Sequence, residues 1–276
     1  MNVTRDVLPL DPSKRRVFVP TMGALHAGHR ELMRVARERA GDDGEVVVSI
    51  FVNPTQFGAG EDLDAYPRTR EQDEAVCRSE GVDVLFAPTV DDVYGTRSMD
   101  ARVTVEPGPL GLELEGTTRP THFAGVLSVV ALLFHKVRPD AAIFGEKDYQ
   151  QLELIRRMND DLGFGIDIVG VGTVRDDDGL ALSSRNSYLS QDERRLASAI
   201  PRALTAAQNA APSGANAARQ AAVTILDDAS MEIDYVDVRS NTLGSPPDVG
   251  AARLLVACRV GTTRLIDNCA LDLGTR

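Results

Sequence analysis

Five short stretches combine residue types that do chemistry with positions where a fold can present them. The first is Pro20-Thr21-Met22-Gly23-Ala24-Leu25-His26-Ala27-Gly28-His29, which holds two of the chain's four histidines. The two are three residues apart, so both project from one side if a helix begins by His26. A helix N-terminus offers unsatisfied N–H groups and the positive end of a dipole to an anion. Two imidazoles beside it can donate to a triphosphate as charge builds during displacement of pyrophosphate. Gly28 lets backbone or a nucleotide base approach closely. A lone histidine here would belong to the apolar stripe of its helix. Two in one H-x-G-H at a strand-to-helix turn point to chemistry.

The second stretch is Phe51-Val52-Asn53-Pro54-Thr55-Gln56-Phe57. Asn53-Pro54 ends a strand, because a residue before proline avoids the helical region. A turn does not account for Gln56, whose amide can hold a hydroxyl or carboxylate of a small substrate. The third is Glu115-Gly116-Thr117-Thr118-Arg119-Pro120-Thr121-His122-Phe123. Thr121 there fits an N-cap, and capping with a surface ion pair is the plain alternative to a binding role. The fourth is Phe144-Gly145-Glu146-Lys147-Asp148-Tyr149-Gln150-Gln151. Lys147 can reach phosphate as a mobile point charge, Asp148 suits the start of a helix dipole, and Gln151 lies one turn after Lys147. The fifth is Leu180-Ala181-Leu182-Ser183-Ser184-Arg185-Asn186. Consecutive hydroxyls and a planar guanidinium suit a triphosphate, and an ordinary polar interdomain loop is the alternative.

These stretches need elements to place them. Arg16 to Pro20, Val46 to Val52, Val82 to Phe86, Ala141 to Phe144 and Ile166 to Val171 read as short buried strands. Between them, Gly28 to Ala40, Arg68 to Ser79, Thr121 to Val137 and Lys147 to Leu162 read as helices. In the first of these His29, Leu32, Met33, Ala36 and Ala40 share a face. In the last Leu152, Ile155 and Leu162 should pack inward. Strands apolar on both faces that alternate with helices indicate a parallel sheet covered on two sides. Ligands bind at the carboxyl ends of such strands. Residues 1–173 are therefore expected to form a Rossmann-like α/β domain. Arg175 to Gly179 reads as a charged hinge. Residues 174–276 read as a smaller C-terminal α+β domain and a candidate lid. In it, Ser190 to Glu193 has the form of a capping box. Two Ala-rich helices separated by Pro212-Ser213-Gly214 follow. Strands at Ile233 to Val238, Arg253 to Val260 and Thr262 to Ile266 come last, the final pair a hairpin at Gly261.

Composition narrows the classes. The 276 residues are 43 % hydrophobic and 26 % charged, ordinary for a globular protein with a full core. A net charge of −11 opposes capture of a nucleic-acid backbone, so no nucleic-acid partner is expected. Cys77, Cys258 and Cys269 form no CxxC pair, which argues against a disulfide framework or a zinc site and for a reducing compartment. The polar leader to Lys14 lacks an apolar core of the signal-peptide kind, and no run of 18 apolar residues suggests a membrane span. A cytoplasmic protein without a membrane partner is expected.

H-x-G-H at this position resembles the signature of the HIGH nucleotidyltransferase superfamily. The longer string PTMGALHxGH is similar to that of the pantothenate synthetase family, and the other four stretches follow in that family's order from Pro20 to Asn186. Leu254 to Ala257 and Gly261 to Asn268 are similar to its C-terminal strands. The resemblance implies a ligase that uses ATP and Mg²⁺ to join pantoate to β-alanine through a pantoyl-adenylate, and it implies a homodimer. It implies catalytic roles for His26, His29, Lys147 and Arg185. ATP contacts are implied for Thr21, Met22, Gly23, Ala24, Leu25, His26, His29, Gly145, Glu146, Lys147, Asp148, Val174, Leu182, Ser183, Ser184 and Arg185. Contacts to pantoate or β-alanine are implied for Asn53, Gln56, Arg119 and Gln151. Two departures stand out. Leu182 replaces the usual Met, a substitution of similar volume. The acidic pair expected after Tyr66-Pro67-Arg68 is Gln72-Asp73, so no metal role passes to position 72, and one for Asp73 stays open. Rival readings are another nucleotidyltransferase acting on a phosphorylated substrate, which Gln56 and Gln151 disfavour, a tRNA-charging fragment, and a non-catalytic scaffold.

Overall fold

The computed structural model of the chain describes residues 1–6, 9, 11–58, 60–96 and 102–274. Val7, Leu8 and Leu10 of the polar leader lie outside the described residues. The chain divides into two compact units: Met1–Glu146 with Leu154–Gly172, and Lys147–Glu153 with Thr173–Arg276.

The first unit is built on strands β1 (Asn2–Thr4), β2 (Arg16–Thr21), β3 (Glu45–Ile50), β4 (Val84–Phe86), β5 (Ala141–Gly145) and β6 (Asp167–Val171). They form one six-stranded sheet in the order β1-β4-β3-β2-β5-β6, and every pairing is parallel. The main helices are α1 (Ala27–Ala40), α2 (Arg70–Ser79) and α5 (His122–Val137), with short α3 (Val90–Tyr94) and α4 (Glu115–Thr118) between the last two. This is the Rossmann-like α/β architecture. Apolar residues alternate between two covered faces. Val17, Val19, Val46, Val48, Ala141 and Ile143 pack with Met33 and Ala36 of α1 and Cys77 of α2. Phe18, Val47 and Ala142, of opposite parity along their strands, are fully buried as well. Phe144 meets Phe134 of α5 edge-on, with centroids 6.4 Å apart. Strands buried on both sides must be apolar throughout, which is why these segments read as unbroken runs.

The order of the sheet fixes where a ligand can go. Chain order reverses at β2, with β3 and β4 on one side and β5 and β6 on the other. The carboxyl ends of β2 and β5 therefore flank the topological switch point. The H-x-G-H turn follows β2, and Gly145 closes β5.

The second unit carries α7 (Gln191–Ala197), α8 (Ala199–Ala210), α9 (Ala215–Asp228) and strands β7 (Glu232–Ser240), β8 (Gly250–Val260) and β9 (Thr263–Leu273). The strands make an antiparallel sheet in chain order. Ala203, Leu204 and Ala207 of α8 and Ala222 and Leu226 of α9 form one core with Leu254, Val256 and Cys258 of β8. Ser190 and Glu193 make the expected capping box on α7. Gly261, at φ +58°, turns β8 into β9. Helix α6 (Tyr149–Asp161) crosses the division: residues 149–153 group with the second unit and the rest with the first.

Several expectations need correction. β1 is not legible in the sequence, because three polar-flanked residues carry no periodicity. α3 adds a further element, and Thr89 and Asp92 form a capping box at its start. Thr121 stands at the N-cap place of α5, but its side chain makes no capping bond. Leu162 is 55 % exposed, because α6 ends one residue before it. The charged segment 175–179, next to the division between the units, is tied into the second unit. Arg175 binds the Asp267 carboxylate at 2.6 and 3.0 Å, and Arg194 holds Asp176 at 2.6 Å and Asp178 at 3.0 Å, all inside the second unit.

Gly125 shows how tightly α5 seats the loop after β3. A Cβ there would lie 2.3 Å from Thr55 O and 2.7 Å from Gln56 N. Gly125→Ala should therefore destabilise the fold by about 1–3 kcal/mol. An unchanged thermal midpoint would show that the loop yields freely.

Candidate active site

β2 ends at Thr21, and the chain leaves the sheet through Gly23 at φ +86° and Ala24 at φ +51°. A non-glycine residue in the left-handed region costs about 1–2 kcal/mol, so something must hold it. Asp73, on α2 and only 2 % exposed, accepts from Ala24 N at 3.1 Å and Leu25 N at 2.8 Å. Thr69 Oγ1 donates to the same carboxylate at 3.2 Å. Thr21 Oγ1 donates to Ser49 O at 2.6 Å and accepts from Gly23 N at 3.2 Å. Gly23 itself is hemmed in, since a Cβ would sit 3.0 Å from Asp73 Oδ2. Asp73 thus shapes the turn, a role that spacing alone does not reveal. Gln72, beside it, is exposed. Among the described residues no group of three or more His, Cys, Asp or Glu gathers to hold a metal ion.

The turn delivers two imidazoles in a defined state. His26 is the N-cap of α1, and its Nδ1 accepts from Gly28 N at 3.1 Å. His29 Nδ1 accepts from His26 N at 3.2 Å. An Nδ1 that accepts leaves the proton on Nε2, so each ring becomes an Nε2–H donor. The ring centroids are 4.1 Å apart, close enough for both donors to serve one anion.

Beside them lies the loop after β3. Gln56 Nε2 donates to Met22 Sδ at 3.2 Å, which brings the first and second stretches together. Asn53 is 1 % exposed, and its amide is engaged inside the protein. Its Nδ2 donates to Gln56 Oε1 at 3.1 Å and Gly125 O at 3.2 Å, and its Oδ1 accepts from Tyr94 OH at 2.7 Å. Here Asn53 holds Gln56. Arg119 forks onto Glu61 at 2.9 and 2.7 Å and donates to Gln56 O at 3.3 Å. His122 Nδ1 sits 2.9 Å from the same carbonyl. The third stretch therefore grips the main chain of the second. Tyr94 and Glu61 are absent from the sequence reading. The Thr89–Asp92 capping box could have located Tyr94, whereas nothing local marks Glu61.

The fourth and fifth stretches divide between the units. A Cβ on Gly145 would meet nothing within 4 Å, so the carboxyl end of β5 is open, and Glu146 follows it in the first unit. In the second unit Lys147 Nζ lies 3.7 Å from the half-exposed Asp148 carboxylate. Gln151, one turn on, is partly exposed. Leu182 N donates to Val174 O at 2.9 Å, closing a hairpin that sets Val174 beside Leu182. Ser183 caps the following 3₁₀ turn, with its Oγ accepting from Arg185 N at 3.3 Å. Ser184 and Arg185 are the first two residues of that turn. Burial pushes the thiols of Cys77, Cys258 and Cys269 up to about 12, so none is a nucleophilic thiolate at neutral pH.

Two outcomes test this geometry. Asp73→Ala leaves the Ala24 and Leu25 amides without their acceptor, which should destabilise the fold by about 1–3 kcal/mol and weaken nucleotide binding. An unaltered melting point and unaltered nucleotide titration would refute the role. Hydrogen bonds from Arg119 hold the Glu61 carboxyl below its ordinary value. A depressed folded value means the folded state binds fewer protons. The contribution of the pair is complete above about pH 4.3 and is lost as pH falls through the depressed value. The melting-point gap between wild type and Glu61→Gln should be constant near neutrality and close in acid. A gap that persists at low pH contradicts the pairing.

Comparison with known proteins identifies the family. The family model described as pantoate-beta-alanine ligase matches residues 4–270. The chain is 59 % identical over 264 residues to a pantothenate synthetase of Mycobacterium sp. (strain KMS), covering 95 % of this chain and 82 % of that one. It is similar in structure to the crystal structure of pantothenate synthetase from Thermus thermophilus, with TM-score 0.88 and 46 % identity over 98 % of this chain and 99 % of that one. It is also similar to a pantoate-beta-alanine ligase from Francisella tularensis, complexed with beta-gamma ATP and beta-alanine, with TM-score 0.80 and 32 % identity over 98 % of this chain and 97 % of that one. With a family match across nearly its whole length, the chain belongs to the pantoate–β-alanine ligase family.

Proposed function

We propose that this chain condenses pantoate with β-alanine to pantothenate, using ATP and passing through a pantoyl-adenylate. The observation that carries the reading is the imidazole pair, whose Nδ1 atoms accept backbone N–H bonds at 3.1 and 3.2 Å and whose Nε2–H groups are thereby fixed as donors. Family membership supports the overall reaction.

A carboxylate does not acylate an amine, because oxide would have to leave. In the first step a pantoate carboxylate oxygen attacks the α-phosphorus of ATP, and the bond to the bridging oxygen of pyrophosphate breaks. His26, His29, Lys147, Ser183, Ser184 and Arg185 donate to the phosphoryl oxygens as charge moves onto pyrophosphate. Thr21 to Leu25, Gly145, Glu146, Asp148, Val174 and Leu182 border the nucleotide. Gln56, held by Asn53, Arg119 and His122, and Gln151 bind pantoate and β-alanine. In the second step the β-alanine amine attacks the acyl carbon, loses a proton, and AMP departs with the oxygen it received from pantoate. Mg²⁺ fits as a companion of the phosphates, since such ions are commonly held by substrate oxygens. When bound it neutralises phosphate charge.

The decisive experiment supplies ATP, Mg²⁺ and pantoate labelled with ¹⁸O in its carboxylate. Pyrophosphate–ATP exchange should require pantoate but not β-alanine, and adding β-alanine should release AMP carrying one ¹⁸O. AMP without label would exclude the adenylate. His29→Ala should slow exchange by about 10²–10³-fold while the protein stays folded; near-normal exchange would remove the imidazole pair from the mechanism. Gln151→Ala should chiefly raise the KM for pantoate, and an unchanged KM would refute its role.

A further inference from the structure

The antiparallel sheet of the second unit has a second face, and it carries polar residues with no part in the helix core. Successive side chains of a strand point to opposite faces. Asp267 and Asn268 are neighbours on β9, so they reach in opposite directions. Asp267 pairs with Val256, and Asn268 with Leu255. Val256 belongs to the core formed with α8 and α9, so Asp267 shares that side and Asn268 faces away from it. Both are buried, at 3 % and 4 % exposure.

Each fastens a different segment. On the helix side, Asp267 takes Arg175 in a two-point bond at 2.6 and 3.0 Å. Arg175 also donates to Gly179 O at 3.0 Å, which ties down the hairpin that leads into Ser183, Ser184 and Arg185. On the opposite side, Asn268 Nδ2 donates to the main-chain carbonyl of Lys147 at 2.9 Å. Arg253 of β8 completes this side. Its Nη1 donates to Asn268 Oδ1 at 2.5 Å, and its guanidinium lies 3.7 Å from the centroid of the Tyr149 ring. Tyr149 OH in turn donates to Asn241 O at 2.9 Å. All these residues lie in the second unit.

We infer that Asn268, oriented by Arg253, is a positioning residue that fixes the main chain of Lys147, while its neighbour Asp267 fixes the serine–arginine hairpin from the other face of the same strand. Two adjacent residues of β9 thereby hold both phosphate-handling segments of the second unit at one spacing. Packing alone does not require this, because aliphatic side chains could fill the same space without the cost of burying polar groups. The inference rests on the proposed contact of Lys147 with phosphate.

Asn268→Asp tests it with little change of shape. The variant keeps an acceptor for Arg253 and loses the donor to Lys147 O. Asn268→Ala removes both. In the full-length enzyme each should slow pantoate-dependent pyrophosphate–ATP exchange about ten- to a hundredfold, with the KM for pantoate unchanged. Lys147→Ala should slow it further, and the double variant Lys147→Ala with Asn268→Asp should be no slower than Lys147→Ala alone, because a positioning residue has nothing left to position. Additive losses in the double variant would overturn the inference, since a general structural defect adds. Should Lys147→Ala be impaired and a folded Asn268→Asp be normal, the inference fails alone. Should Lys147→Ala be fully active, the phosphate role of Lys147 fails and takes the inference with it.

Discussion

At the end of β2 the chain must leave a parallel sheet and point its amides outwards, and one buried carboxylate makes that possible. Asp73 binds the amides of Ala24 and Leu25 and so holds a left-handed alanine that would otherwise relax. Everything downstream inherits this geometry. The turn sets the first residue of α1, the N-cap at His26 is made by an imidazole, and the capping bonds decide which ring nitrogen carries the proton. A structural need, satisfying the open amides of a helix start, and the chemical need of the proposed reaction, presenting two N–H donors to an anion, are met by the same two hydrogen bonds. The strain at Ala24 is the kind that persists where surrounding structure over-determines a conformation.

The same economy runs through the neighbouring loop. Gln56, to which we assign substrate binding, is held still by its neighbours. Asn53 occupies its Oε1, Arg119 and His122 grip its carbonyl, and Gly125 allows α5 close enough to support the whole turn. For a protein of net charge −11, taking in the anions proposed above is easier with this arrangement. The turn after β2 and the loop after β3 carry dipolar donors whose directions are fixed, while Arg119 has its charge balanced by Glu61. Preorganised dipoles stabilise developing charge without waiting for solvent or side chains to reorient.

Much of this was legible in the sequence. β2, β3 and β5 read as apolar runs because both their faces are covered, and α7 announced itself through Ser190 and Glu193. The five chemical stretches stood out because each joins a strand or hairpin end to polar residues that a turn alone does not need. What could not be read is the division of labour within them. Asp73 lies 48 residues from the amide of Leu25 that it holds, and Tyr94 lies 41 residues from Asn53. No periodicity relates such pairs, and only the order of the parallel strands brings them together. For the same reason the internal partners of Asn53 and Arg119, Gln56 and Gly125 for the one and Glu61 for the other, could not be read from the sequence. The charge of the segment 175–179 did not reveal its partners. Arg175 has Asp267.

The C-terminal strands make the complementary point. A three-stranded sheet packed on two alanine-rich helices needs one apolar face, and Leu254, Val256 and Cys258 supply it. Had the other face only to meet water, charged residues could stand there exposed. Instead Arg253 and Asn268 are buried with bonds made to each other, to a tyrosine ring and to the carbonyl of Lys147. Burying a guanidinium is costly, and pairing offsets only part of that cost. Stability alone would be served as well by aliphatic side chains of the same volume. A strand that instead uses one side chain to hold an arginine on its core face and the next to hold a lysine's main chain on the other is set by distance. It fixes how far apart two backbone segments stand, and in the reaction proposed above, where both touch one polyphosphate, that distance is what the sheet contributes.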